Sequence, residues 1–240
     1  MMLKALPAAC AALLIGAGAA QAAIAPDPTN PTCPNLQKMF GPLSGPVQVQ
    51  SAKVSGRNVV KFSGAIVPGA ADQLQKALEG AGAPVDEIWI GSSGGDPAEG
   101  VKLGKMIRAM GVPTRVPAGW GCASACNFAF MGGAIRMVDR DATFAVHMFT
   151  ITTNEGYQSF VDLTRQDSKA TLNNIARREQ ASALLASDEN DFLIRMGVSR
   201  RLLTEIMYQQ KADAFVGQDK SVIRCLTADE MQRYNVVNAD

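Results

Sequence analysis

From residue 58 onward the sequence alternates between two periodicities, and that alternation restricts the fold more than any other feature. NVVKFSGAI alternates apolar and polar residues, which predicts a half-buried strand. ADQLQKALEG then places Leu74, Ala77 and Leu78 on one helical face and stops at Gly80. EIWIG reads as a short buried strand and SSGG as a turn. DPAEGVKLGKMIRAMG opens a helix with Asp96 at the N-cap, Pro97 at the first helical position and Glu99 completing a capping box; Gly111 ends it. TRVP is the next strand, ASACNFAFMGG a buried helix, and ATFAVHMF a further strand. Strand, helix, strand in repeated order implies βαβ crossovers and a mostly parallel sheet, hence an α/β fold.

The flanks carry different signals. MMLKALPAACAALLIGAGAAQA, residues 1–22, reads as a signal peptide: Lys4 gives a positive start, an apolar run follows, and Ala20-Gln21-Ala22 is a small-residue cleavage site. The run is too short to span a bilayer as a helix. Its removal takes Lys4 away and brings the basic residues level with the 22 acidic ones. With no basic run, neither a nucleic-acid surface nor strong attraction to anionic membranes is expected. Residues 23–50 are Pro-rich and polar and read as an extended N-terminal arm. Residues 51–240 form the remaining domain, within which 157–210 is helical and loosely amphipathic, suited to project and mediate assembly. RCLTADEMQRYNVVNAD reads as a short strand and a capped helix returning to the body.

Cys33, Cys122, Cys126 and Cys225 remain after Cys10 leaves with the signal. An even number in an exported chain favours disulfides. Three pairings are open, and Cys122 with Cys126 and Cys33 with Cys225 is the preferred one. The C-x-x-x-C spacing is not the C-x-x-C of redox enzymes, and no zinc ligand set is apparent, so neither a metal nor a cofactor is expected.

Three features could carry chemistry. Gly94 and Gly95 follow a strand and precede a capped helix, where bare backbone can approach a ligand and offer N–H groups to an oxyanion. Taken alone, the pair is read more simply as a tight strand-to-helix turn with no ligand. Ser124 lies among small residues (Gly121, Ala123, Ala125) at a strand-to-helix junction. There a serine can expose its hydroxyl and leave the following N–H, that of Ala125, as an oxyanion donor. The plain alternative is an ordinary N-cap serine. His147 is the only histidine and ends the apolar strand ATFAV. Imidazole is the usual base for a serine nucleophile, although a core histidine is the competing reading.

Taken in order, VVKFSGAI, GSSGGDPAEGVKLGKMIRAMGVPTRV, CASAC and ATFAVHMF resemble the Clp protease proteolytic subunit and the crotonase-like superfamily, and within it an exported Clp-protease-like group with a C-x-S-x-C serine. The resemblance covers roughly residues 55–150 well and the tail weakly. It implies a crotonase-like β-α-β superhelix with a mostly parallel sheet and a projecting helical region. It further implies Ser124 as nucleophile, His147 as general base, Gly95 and Ala125 (with Gly94 beside them) as the oxyanion and substrate-binding turn, and Asp219 as the acid orienting the histidine. The segment between His147 and Asp219 is longer than the family's, so Asp213, Asp162 and Asp167 remain rivals. A Ser–Lys dyad using Lys169 is a further variant.

The activity so implied is a periplasmic or secreted serine endopeptidase. Outside the cytoplasm no ATP is at hand, so no ATPase partner is expected, and the substrates are peptides or unfolded segments. Self-association into a homo-oligomer is expected. A non-catalytic binding or assembly module on the same fold, or an ester or thioester hydrolase, are the alternatives.

Overall fold

The computed structural model describes residues 26–27, 30–147, 161–165, 167–210 and 223–239, and the signal-peptide segment lies outside them. In the arm, β1 (Pro26–Asp27) pairs with β2 (Asn30–Pro34), and a short helix α1 (Leu36–Phe40) follows. β3 (Gln48–Val54) and β4 (Arg57–Ser63) then form an antiparallel hairpin. Its turn residues Ser55 and Gly56 both have positive φ, as the twist of a tight hairpin demands.

Parallel pairing begins at β4. A helix α2 (Ala70–Glu79) leads to β5 (Glu87–Gly91), and α3 (Pro97–Met110) leads to β6 (Thr114–Val116). With β8 (Arg136–Val138) these strands make a five-stranded sheet, β3-β4-β5-β6-β8, parallel except for the β3 edge. β7 (Gly121–Ala123), β9 (Thr143–His147) and β10 (Ile223–Cys225) form a second sheet in the order β10-β9-β7, with β7 and β9 parallel and β10 antiparallel. A single parallel bridge, Ser92 to Cys122, joins the end of β5 to β7. The mixed α/β fold with a largely parallel sheet is thus as the sequence implies. Its division into two sheets is not visible in the strand-helix order.

Helix termini explain the crossovers. Asp96 accepts from the Glu99 N–H at 2.8 Å, Pro97 occupies the first turn, and Gly111 closes α3 with φ 68°. Only half of the expected capping box forms. The Glu99 carboxylate instead accepts from the Ala71 N–H at 2.8 Å, satisfying a donor in the first turn of α2, whose own N-cap is Gly69.

α2 buries Ala70, Ala71, Leu74 and Leu78, and α3 buries Leu103 and Ile107, against Phe62, Ile88 and Ile90 of the sheet. α3 also lies backbone-to-backbone on α4 (Ala125–Met131): a Cβ on Gly100 would stand 2.5 Å from the Ala125 carbonyl oxygen, and one on Gly104 2.3 Å from that of Phe128. Residues 161–165 (α5) and α6 (Ser168–Arg195) form the helical region. The C-terminal turns of α6 enter the core, where Phe192 meets Phe128 edge-on at 5.6 Å. Further towards its N-terminus α6 exposes Leu172 and Leu184, at 67% and 61%. A π-helical turn (Leu202–Ile206) and a 3₁₀ turn (Met207–Gln209) follow, and α7 (Ala228–Arg233) closes with a complete Thr227–Glu230 capping box.

Arg136 fastens the last segment. It is 1% exposed, and its guanidinium donates only to backbone carbonyls: those of Val236, Asn235, Gly133 and Met196. Burial, and then the neighbouring Arg108, lower its pKa to about 10.

Candidate active site

Ser124 stands where β7 turns into α4, with φ 59° and ψ −127°. A non-glycine residue in that region costs on the order of 1–3 kcal/mol and persists only where the surroundings impose it. Ser124 occupies the N-cap position of α4, yet its side chain makes no capping hydrogen bond. The ordinary N-cap serine has extended backbone and spends its oxygen on the helix. This serine does neither.

Its neighbours impose the turn. A Cβ on Gly94 would lie 2.6 Å from Ser124 Cβ and 3.1 Å from Ser124 Oγ, so only glycine leaves room for the serine side chain. Gly94 has φ 107° and donates its N–H to Ser92 Oγ at 3.0 Å. Gly95, with φ 144°, lies against Ile66, whose carbonyl oxygen would be 2.0 Å from an added Cβ. That contact is a parallel bridge: Ile66 N–H donates to the Gly94 carbonyl, and Asp96 N–H to the Ile66 carbonyl, each at 2.8 Å. The bridge uses the Gly94 carbonyl and the Asp96 N–H; the Gly95 N–H takes no part in it.

On the other side of the serine, Cys122 on β7 and Cys126 in the first turn of α4 form a disulfide with Cα atoms 5.3 Å apart. The bond closes a ring containing Ser124. A second disulfide joins Cys33 of β2 to Cys225 of β10. These are the two pairs preferred from the sequence.

His147 is the last residue of β9. The β7–β9 register sets Gly121 opposite Thr143 and Ala123 opposite Ala145. Ser124 and His147 therefore leave the carboxyl ends of two adjacent parallel strands, the edge at which open α/β sheets bind ligands. On its other side His147 faces Ile223 of β10.

Of the acids, Asp219 and Asp213 lie outside the described residues. Asp162 is exposed on α5. Asp167 is the N-cap of α6, where its carboxylate accepts from the Lys169 and Ala170 N–H groups at 2.9 and 3.0 Å. Lys169 is exposed in the same turn. Among the described residues no group of three His, Cys, Asp or Glu side chains could hold a metal ion.

Asn127 and Glu189 are among the buried polar groups that escaped the sequence reading. Asn127 is 2% exposed, one turn beyond Ser124. Its backbone N–H donates to the Ser124 carbonyl and its Nδ2 to the Ala145 carbonyl, both at 2.9 Å, while its Oδ1 is buried without a partner. A hydrogen bond of this kind contributes about 0.5–1.5 kcal/mol and an unsatisfied buried acceptor costs about 1–3 kcal/mol. Stability alone therefore does not account for an amide there. Its only sequence signal is a single polar residue inside the apolar run ACNFAFM. Glu189 is 3% exposed on α6, and burial pushes its carboxyl up to about 7. Burial and the nearby Glu189 charge also raise Tyr208, whose hydroxyl is buried without a partner.

Among known proteins, no family model matches the sequence and no curated protein matches it. Solved structures do. A single-site mutant of ClpP1 from Listeria monocytogenes superposes with a TM-score of 0.51 at 16% identity, covering 75% of this chain and 88% of that one. ClpP1 from the same organism superposes at 0.47 and 17% identity, with the same coverage. At such identities the likeness concerns the path of the chain: this protein has a Clp protease-like fold.

Proposed function

We propose that the protein is an exported serine peptidase that cleaves peptides or unfolded segments through an acyl-enzyme. The observation that carries this reading is Ser124, held in a strained strand-to-helix turn with its hydroxyl not used for capping, against the bare Cα of Gly94. Ser124 Oγ attacks the scissile carbonyl while His147 takes its proton, forming the Oγ–carbon bond and a tetrahedral oxyanion. The N–H groups of Gly95 and Ala125 receive that oxyanion. Collapse breaks the peptide C–N bond as His147 returns the proton to the leaving amine. Water, deprotonated by His147, then releases the acyl group and restores the serine. Asp219 orients His147 in this scheme. The two disulfides are compatible with an oxidising location outside the cytoplasm. Among the described residues no helix is long and apolar enough to cross a membrane. The exposed leucines of α6 provide a self-association surface.

Labelling with a fluorophosphonate tests the reading. The folded protein is expected to be modified at Ser124, and Ser124→Ala and His147→Ala to lose both labelling and hydrolysis of unfolded casein. Absence of labelling in the folded protein, with hydrolysis unaltered by Ser124→Ala, would sink it. A panel of ester and thioester substrates separates a peptidase from a hydrolase of those bonds.

A further inference from the structure

We infer that Asn127 is a positioning residue that holds the strand of His147 in register with the turn of Ser124; the inference rests on the serine-peptidase reading. β9 is flanked by β10 and β7. The Phe144 carbonyl accepts from the Leu226 N–H, on the β10 side. Successive carbonyls of a strand alternate in direction, so the Ala145 carbonyl faces the β7 side. There the ladder has run out, because β7 ends at Ala123, the residue opposite Ala145. Beyond that point the chain turns through Ser124 into α4, and the Ala145 carbonyl takes a side-chain donor.

Asn127 Nδ2 supplies it, at 2.9 Å. Through its backbone N–H the same residue holds the Ser124 carbonyl. One residue thus bonds to the nucleophile's own peptide and to the strand two residues before the base. An apolar side chain at this buried position would leave no orphan Oδ1, but it would remove the tie from α4 to the Ala145 carbonyl on the β7 side of β9.

The single histidine makes the test direct. In protein labelled with ¹⁵N-histidine, the imidazole resonances and their titration report His147 alone, whether or not catalysis occurs. Asn127→Ala is expected to fold cooperatively, to shift those resonances and the titration midpoint, and to slow fluorophosphonate labelling of Ser124 by tenfold or more. Asn127→Val, which retains more of the buried volume, is expected to do the same. Imidazole resonances and midpoint identical to wild type in a folded variant would overturn the inference. So would loss of cooperative folding in both variants, which would make the amide a requirement of the core. Wild-type protein that does not label at Ser124 counts against the peptidase reading instead, while the imidazole comparison still decides the role of Asn127.

Discussion

Ser124 and Gly94 are two halves of one local arrangement, since the serine's backbone angles require a neighbour without a side chain. Gly94→Ala would place a methyl within 2.6 Å of Ser124 Cβ at a backbone φ of 107°. We expect at least a hundredfold loss of Ser124 labelling, with stability reduced by about 1–3 kcal/mol in urea titrations. Glu189 gives a second prediction at this scale. Its folded pKa of about 7 exceeds the ordinary 4.5, so the folded state holds a proton that the unfolded state releases. Its contribution is fully present below pH 4.5 and is lost as pH rises towards 7. Glu189→Gln is expected to flatten that part of the stability profile and to raise stability at pH 8 by about 3 kcal/mol or less. A profile unchanged by the substitution would refute the assignment. The sequence displays His147 because it is the single histidine, the glycine pair because it punctuates, and Ser124 because small residues and two cysteines flank it. Asn127 and Glu189 are common residue types, and only tertiary burial gives them meaning.

At the scale of elements, the α3–α4 contact transmits strain to the site. Alanine ordinarily favours a helix over glycine by about 1 kcal/mol. On Gly100, however, the added methyl would meet the Ala125 carbonyl at 2.5 Å, next to Ser124. Gly100→Ala is therefore expected to lower the thermal midpoint and slow Ser124 labelling together; a higher midpoint with unchanged labelling would contradict this. The two disulfides differ in what they fix. In the chain-entropy picture, the sequence separation of 192 for Cys33–Cys225 corresponds to about 5 kcal/mol, and the separation of 4 for Cys122–Cys126 to about 2 kcal/mol. The small ring serves chiefly to hold the turn. Replacing both its cysteines by alanine is expected to reduce labelling several-fold and to lower stability in urea titrations by about 2 kcal/mol, well short of the loss expected for the long bond. α3 is legible in the sequence because Asp96, Pro97 and Gly111 mark both ends. β7 and β8 have three residues each and no room for a period, so register with distant strands alone defines them.

In the whole molecule, the crossover order gives the parallel sheet, whereas the second sheet depends on long-range partners: β10 reaches β9 from beyond the helical region. Arg136 clamps the segment after α7 onto the body through four carbonyls, and Arg136→Met is expected to cost about 3 kcal/mol or more by leaving those of Val236, Asn235 and Gly133 without its donors, while the Met196 carbonyl keeps Arg108. Differential scanning calorimetry would register this as a lowered midpoint; an unchanged midpoint would contradict it. The Cys33–Cys225 bond has a consequence in time as well as in space. It joins the arm to the strand beside His147, and it cannot close until the chain has been synthesised through Cys225. A nascent polypeptide can carry its serine turn early, but the histidine's sheet is locked only once that late oxidation has occurred. Maturation of the site is thereby tied to completion of the chain, and pulse-labelled protein should gain reactivity towards fluorophosphonate in step with this bond, not with the small ring.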